Sequence, residues 1–278
     1  MTKKQLFFCF GPPKSGTTFL QKVLNMHPEV SCPAEHQFDF FFSAYASVLD
    51  QYEQVIKQVD HRTGGQGILL NKSSLQKKLL KFTFEEIIFE SAKNKTIAGA
   101  NDNAIINKID MYNTLFESAK FIAIFRNPID TAISAWHHNH RLAKEENNPA
   151  HITFMTQHGG IEDWIKVICN DFTTSVNNCL NHNKTYHNML IIRYEDLVTE
   201  KHSTLVKLFE FLGAKTDDPT INPLINNSSL DEMKRTAKKK GFFRKGSTDM
   251  GKGEITDNFR KEIFNTYGRP LADLGYIL

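Results

Sequence analysis

The front of the chain constrains the fold most. Leu6-Phe7-Phe8-Cys9-Phe10 is an unbroken apolar run, and Gly11-Pro12-Pro13-Lys14-Ser15-Gly16-Thr17-Thr18 follows it directly. A short apolar run closed by glycine and proline reads as a buried strand ending in a turn. From Thr18 to Met26, the residues Phe19, Leu20, Val23 and Leu24 have helical spacing, and Pro28 stops the pattern. Strand, glycine loop and helix make one unit of a parallel α/β fold. A strand buried on both faces needs helices above and below its sheet.

The same alternation continues along the chain. Thr96–Ala100, Phe121–Phe125 and Met189–Arg193 read as further strands, the second being the strongest. Helices are predicted over Phe38–Val59, Leu75–Ser91, from Asn127-Pro128 onward, Ile161 to about Leu180, Thr199–Leu212 and Thr256–Tyr267, with a short one capped by Ser229. Asn127-Pro128 supplies an N-cap and a proline for the first helical position. Ala237–Gly253 reads as a basic, glycine-rich loop. With 278 residues and neither internal repeat nor linker, the expected fold is one α/β domain over residues 1–278. Its central, mainly parallel sheet would be flanked by helices in a P-loop-NTPase-like arrangement.

Composition narrows the functional classes. A net charge of +3 argues against a dedicated nucleic-acid binder while leaving room for a local anion pocket. Cys9, Cys32, Cys169 and Cys179 form no C-x-x-C pair, so they read as reduced, buried thiols rather than a zinc site. The run Leu6–Phe10 is too short for a signal-peptide core, and Phe38–Leu49 is too short to span a bilayer and contains Asp39. The expectation is a cytoplasmic protein without a membrane segment.

The first loop has the chemistry of an anion site. Helical N–H groups at an N-terminus lack partners, and the helix dipole favours negative charge there. Gly16 lets the backbone approach a phosphate, and Thr17 and Thr18 add hydroxyl donors. The spacing matches a Walker A loop, G-x-x-x-x-G-K-[ST], at every position but one. Thr17 stands where that pattern needs lysine, and the lysine is Lys14, three places earlier. Such a lysine is poorly placed to bridge β- and γ-phosphates. It suits the oxygen between a single 5′-phosphate and a group in transfer. The plain structural alternative is a capped turn with a solvated lysine.

Pro13-Lys14-Ser15-Gly16-Thr17-Thr18 resembles the 5′-phosphosulfate loop of the sulfotransferases, P-K-[SG]-G-T-T. Arg126-Asn127-Pro128, followed by Asp130, Ala132, Ser134 and Trp136, resembles that family's 3′-phosphate motif, and implies Arg126 and Ser134 as 3′-phosphate ligands. Tyr194-Glu195-Asp196-Leu197 resembles a segment whose tyrosine lies by the adenine, which implies Tyr194. Arg244-Lys245-Gly246 resembles the segment that closes over the 3′-phosphate. Here Met250 precedes Gly251 and no tryptophan follows, a departure from the pattern. The resemblance spans nearly the whole chain. It implies 3′-phosphoadenosine 5′-phosphosulfate as co-substrate and adenosine 3′,5′-bisphosphate as product, with no metal. Lys14, Ser15, Gly16, Thr17 and Thr18 would hold the 5′ end, and Lys14 would stabilise the leaving oxygen.

The acceptor would be a hydroxyl or amine on a small molecule or carbohydrate. The cytosolic branch takes its general base from a histidine on the second strand, but Ala98–Asn103 contains none. Ala34-Glu35-His36-Gln37-Phe38 is similar to the glutamate segment of the carbohydrate branch, so Glu35 is the preferred base, with His36 and Asp102 as fallbacks. His137, His138 and His140 lack carboxylate or cysteine partners at metal-ligand spacing. Phe38, Phe40, Phe41, Phe42 and Tyr45 read as core or as an apolar acceptor pocket. Two other functions stay open: a P-loop nucleotide kinase, against which Thr17 and Arg126 speak, and a non-catalytic nucleotide-binding protein. The dimer segment K-x-x-x-T-V-x-x-x-E of the cytosolic branch is absent, which leaves the oligomeric state open.

Overall fold

The computed structural model describes residues 4–65, 67, 70–157, 159–236 and 252–276. Arg244, Lys245 and Gly246 lie outside them. β1 (Gln5–Phe10) leads through the glycine loop into α1 (Thr17–Met26), and β2 (Val30–Ser31) follows. Next come α2 (Asp39–Thr63), α3 (Lys72–Ala92), β3 (Ile97–Asn101), a 3-10 turn (Asn103–Asn107), α4 (Ile109–Leu115) and β4 (Lys120–Phe125). α5 (Pro128–Glu145), α6 (Ala150–Thr156) and α7 (Ile161–Tyr186) precede β5 (Met189–Arg193). Finally there are α8 (Tyr194–Thr199), α9 (Lys201–Leu212), α10 (Asp218–Asn227), α11 (Leu230–Thr236) and α12 (Asp257–Asp273).

The strands form one parallel sheet in the order β2-β3-β1-β4-β5. The first strand is thus central, with Phe8 opposite Ala100 on one side and Phe121 on the other. Alternation along each strand divides the core. Leu6, Phe8, Phe10, Phe121, Ala123 and Phe125 face a layer built from α3, α4 and α7. Phe7, Cys9, Ile122 and Ile124 face α1 and α9. A third cluster joins α5, α6, α7 and α12 through Ile133, Met155, Trp164 and Ile263. Each large apolar side chain so buried contributes about 1.5–3 kcal/mol.

This strand order positions the site. The chain leaves β1 toward β2 and β3, but leaves β4 in the opposite direction, toward β5. A crevice opens where such departures diverge, at the carboxyl ends of the strands, and α/β sheets bind ligands there. The glycine loop and Arg126 flank this crevice. The expected long elements are present, with α7 and α12 each running about six residues past their predicted ends. The expected helix Thr199–Leu212 begins two residues later, as α9, and α8 before it is an additional short helix. β2, α4 and α6 are too short for hydrophobic periodicity to mark them, and α10 carries Pro223 inside it, which reads as a breaker.

Candidate nucleotide site and transfer centre

Gly11 follows β1 at a close approach to β4: a Cβ there would lie 2.2 Å from the Ile124 carbonyl oxygen. The chain then turns on Ser15. Its backbone N–H donates to the Pro12 carbonyl at 3.1 Å and its hydroxyl to the same oxygen at 2.6 Å. The Ser15 side chain, fully buried, therefore shapes the loop from inside. Lys14 and Gly16 both adopt left-handed backbone conformations, with φ of 71° and 99°. Successive N–H groups in such turns form an anion-binding concavity. Gly16 is also the N-cap of α1, with no side-chain cap bond and no acidic residue in the first turn. The tight fit at Gly16 has a second cause, since a Cβ would stand 2.4 Å from the Tyr194 ring. Thr17 is buried and Thr18 half-buried behind the same turn.

Lys14 lies in a cationic neighbourhood. Burial lowers its pKa, and the charges of Arg141 and then Arg126 lower it further. An anion among these three groups would relieve that repulsion.

Arg126 follows the last residue of β4 and is 7% exposed. Its guanidinium lies over the Tyr194 ring, 5.0 Å from the centroid, a cation–π arrangement. Tyr194 also meets Phe19 edge-on at 6.2 Å. Thus Arg126, Tyr194 and the start of α1 form one wall. Asn127 starts α5 as expected: its side-chain oxygen accepts the Ile129 N–H at 3.0 Å, and Pro128 is in the first turn. Ser134 is half-buried, two turns into α5.

Glu195 fixes this corner. Its carboxylate accepts the Asn127 N–H at 2.9 Å and the Tyr276 hydroxyl at 2.8 Å. Arg193 pairs with Asp196 and donates to the Gly275 carbonyl at 3.0 Å, tying the chain's far end to the same corner.

The second cluster sits one strand over. Glu35 bridges Asn101 at the end of β3, and the His36 N–H donates to the Asn101 carbonyl at 2.6 Å. The Asn103 side-chain amide donates to Glu35 Oε1 at 3.1 Å. Glu35 as a whole is exposed, but partial burial of its carboxylate and then the Asp102 charge raise its pKa. The two fallback bases are differently engaged. Asp102 is 2% exposed, and its oxygens accept the N–H groups of Phe38 at 2.8 Å and Ala104 at 3.0 Å. That carboxylate starts the 3-10 turn and anchors the entry to α2. The His36 ring stacks on Phe38 at 4.8 Å, and burial lowers its pKa.

The aromatic stripe is mainly core. Phe38 is buried and stacks on Phe84 at 4.1 Å, Phe41, Phe42 and Tyr45 pack against the same cluster, and Phe40 stands 71% exposed. The three histidines of α5 diverge: His137 reaches Glu254 at 2.8 Å, His138 pairs with Arg141 at 3.1 Å, and His140 Nδ1 meets the Trp136 carbonyl at 2.8 Å. Among the described residues no group of three or more His, Cys, Asp or Glu gathers as a metal site. No helix among them is long and apolar enough to cross a membrane. The sequence reading missed Glu195 and Arg141. Arg141 could have been found seven residues after Ser134, the spacing that returns a helix to the same face.

Comparison with known proteins follows the same lines. The family model described as "Sulfotransferase domain" matches residues 4–275. A nodulation protein, NoeE, from Sinorhizobium fredii is 24% identical over 136 residues, 46% of this chain and 30% of the relative. Rabbit (Oryctolagus cuniculus) amine sulfotransferase is 25% identical over 118 residues, 42% of this chain and 37% of its own length. The chain thus spans about a third of the curated relatives it matches first. Among solved structures, mouse sulfotransferase SULT7A1 complexed with PAP superposes with a TM-score of 0.62 at 18% identity, covering 97% of this chain and 86% of that one. The sulfotransferase domain from the curacin biosynthetic pathway gives 0.56 at 16% identity, covering 95% and 97%.

Proposed function

The chain belongs to the sulfotransferase domain family, and from that premise we propose that it transfers a sulfuryl group from 3′-phosphoadenosine 5′-phosphosulfate to an acceptor hydroxyl or amine. One observation carries the reading most: the loop lysine is displaced from the Walker position and feels the charges of Arg141 and of Arg126 at the end of the neighbouring strand. A single 5′-phosphate at the helix start and a second phosphate at the strand-end arginine suit two separate sources of positive charge in one crevice. The uncapped α1 terminus and the left-handed turns at Lys14 and Gly16 suit the 5′-phosphate. Arg126, Ser134 and, outside the described residues, Arg244, Lys245 and Gly246 are assigned the 3′-phosphate. Tyr194, walled by Gly16 and Arg126, is assigned the adenine side.

In the reaction, the bond between sulfur and the bridging phosphate oxygen breaks as sulfur bonds to the acceptor. Negative charge grows on that bridging oxygen. Lys14, a compact cation with three donors, would meet it there. The acceptor proton needs a base. Glu35 is assigned this task because its carboxylate is accessible at the carboxyl edge of the sheet. Asp102, whose oxygens are engaged with backbone N–H groups, is better suited to holding the segment that presents Glu35. A cytoplasmic location and a small-molecule or carbohydrate acceptor remain part of the proposal.

The test is transfer from sulfur-labelled donor across phenols, alcohols, amines and sugars. Label on one acceptor class, with release of adenosine 3′,5′-bisphosphate, is expected. Bisphosphate binding with no transfer to any class would favour a non-catalytic nucleotide-binding protein.

A further inference from the structure

α2 carries a surface that neither the fold nor the transfer centre uses. Of its 25 residues only Leu49 is buried. Its root packs on the core through Phe41, Phe42 and Tyr45. Beyond Leu49 it runs beside α3, where Lys72 pairs with Asp50 at 2.7 Å and Glu53 at 3.0 Å. In that outer half Val48, Tyr52, Val55 and Val59 are 60%, 46%, 54% and 36% exposed. At 100° per residue the four fall in a stripe about 60° wide. Asp50, Glu53, Lys57 and Asp60 all lie about 120° to 200° around the helix from Val48. Gln51 and Gln58 border the stripe. Single exposed apolar residues are ordinary, but an aligned, uncharged row on a projecting helix marks a contact surface.

We propose that this stripe is a homodimer contact, in which two α2 helices pair antiparallel across a two-fold axis. The spacing is its own mirror image, four, three and four residues between successive side chains. Inverting a second copy therefore sets Val48 against Val59 and Tyr52 against Val55, twice each. Self-complementarity of this kind is what a two-fold interface requires. In the same register Gln51 and Gln58 of the second copy lie on one flank, about 3 Å apart along the axis, where each amide offers both donor and acceptor. No like charges meet. With α3 behind each α2, the pair of hairpins makes a four-helix arrangement. A lipid surface would instead favour several cations bordering the apolar row, where Gln51 and Gln58 stand and Arg62, one turn beyond Val59, is the single positive charge. Four half-exposed side chains per copy fall short of the roughly 1,200 Å² total of a standard stable interface. The dimer is accordingly weak and concentration-dependent.

This inference does not depend on sulfuryl transfer and is tested without it. Sedimentation of the full chain from about 1 μM to about 1 mM should show a monomer–dimer equilibrium. Val48→Glu and Val59→Lys should each weaken it by about tenfold or more, because each buries an unpaired charge. Mixing the two variants should restore a heterodimer, since the new carboxylate and ammonium face each other. Both positions are exposed, and an unchanged melting temperature checks that the variants fold. A monomer at every concentration, or a dimer indifferent to both variants, overturns the proposal. Failure of the mixture to reassociate overturns the antiparallel register. Cosedimentation of monomer with phosphatidylcholine vesicles, lost in Val48→Glu, would also overturn it and assign the stripe to lipid.

Discussion

Lys14 pays an electrostatic cost for its position: burial and two nearby guanidinium groups all disfavour its charge. A bound anion removes most of that cost, and an oxygen gaining charge during the reaction removes more. Lys14→Ala should therefore lower kcat by about 10²–10³ while changing bisphosphate affinity by about tenfold or less. Single-turnover rates set beside calorimetric binding measure the two separately. Equal losses would make Lys14 a ground-state ligand only. Glu35 gives a pH signature. A base works only when ionised, and burial and Asp102 both hold its pKa above the usual carboxylate range. kcat/KM should fall on the acid side with a midpoint above that of an ordinary glutamate. Glu35→Gln should remove that limb and most of the rate while sparing bisphosphate binding. A full rate in that variant would return the proton transfer to another group.

Among the elements, the strand–loop–helix unit was legible because its information is local. Proline, glycine and the apolar run lie within a dozen residues, and each has a backbone meaning. The same holds for Asn127-Pro128 at the start of α5. Glu195 was not legible, since its partners Asn127 and Tyr276 stand 68 and 81 residues away in the chain. The close approach of Tyr194 to Gly16 is hidden for the same reason. It nevertheless supports a sharp expectation. Gly16→Ala would place a Cβ against that ring at a φ of 99°. Both effects oppose folding of the loop, with backbone strain alone costing on the order of 1–3 kcal/mol. A lowered melting temperature and weakened nucleotide binding should appear together. A variant with wild-type stability would show that Tyr194 moves aside freely.

At the scale of the molecule, alternation of strands and helices announced a parallel sheet, but strand order is a property of packing. The order β2-β3-β1-β4-β5 makes the first strand central and joins a loop near residue 14 to an arginine at residue 126. Two short motifs on different units thereby share one crevice. Glu35, placed by a two-residue strand and a single bridge to Asn101, depended on contacts too brief for any periodicity to mark. The central claim is that this crevice selects a nucleotide with phosphate at both the 5′ and 3′ positions. Titration calorimetry with adenosine 3′,5′-bisphosphate, AMP and ATP with Mg²⁺, on the wild type and Arg126→Ala, tests it directly. The bisphosphate should bind the wild type at least about tenfold more tightly than AMP, consistent with charge-assisted bonds to the second phosphate, and Arg126→Ala should erase that gap. Equal binding of bisphosphate and AMP by the wild type, or tighter binding of ATP with Mg²⁺, would contradict the account.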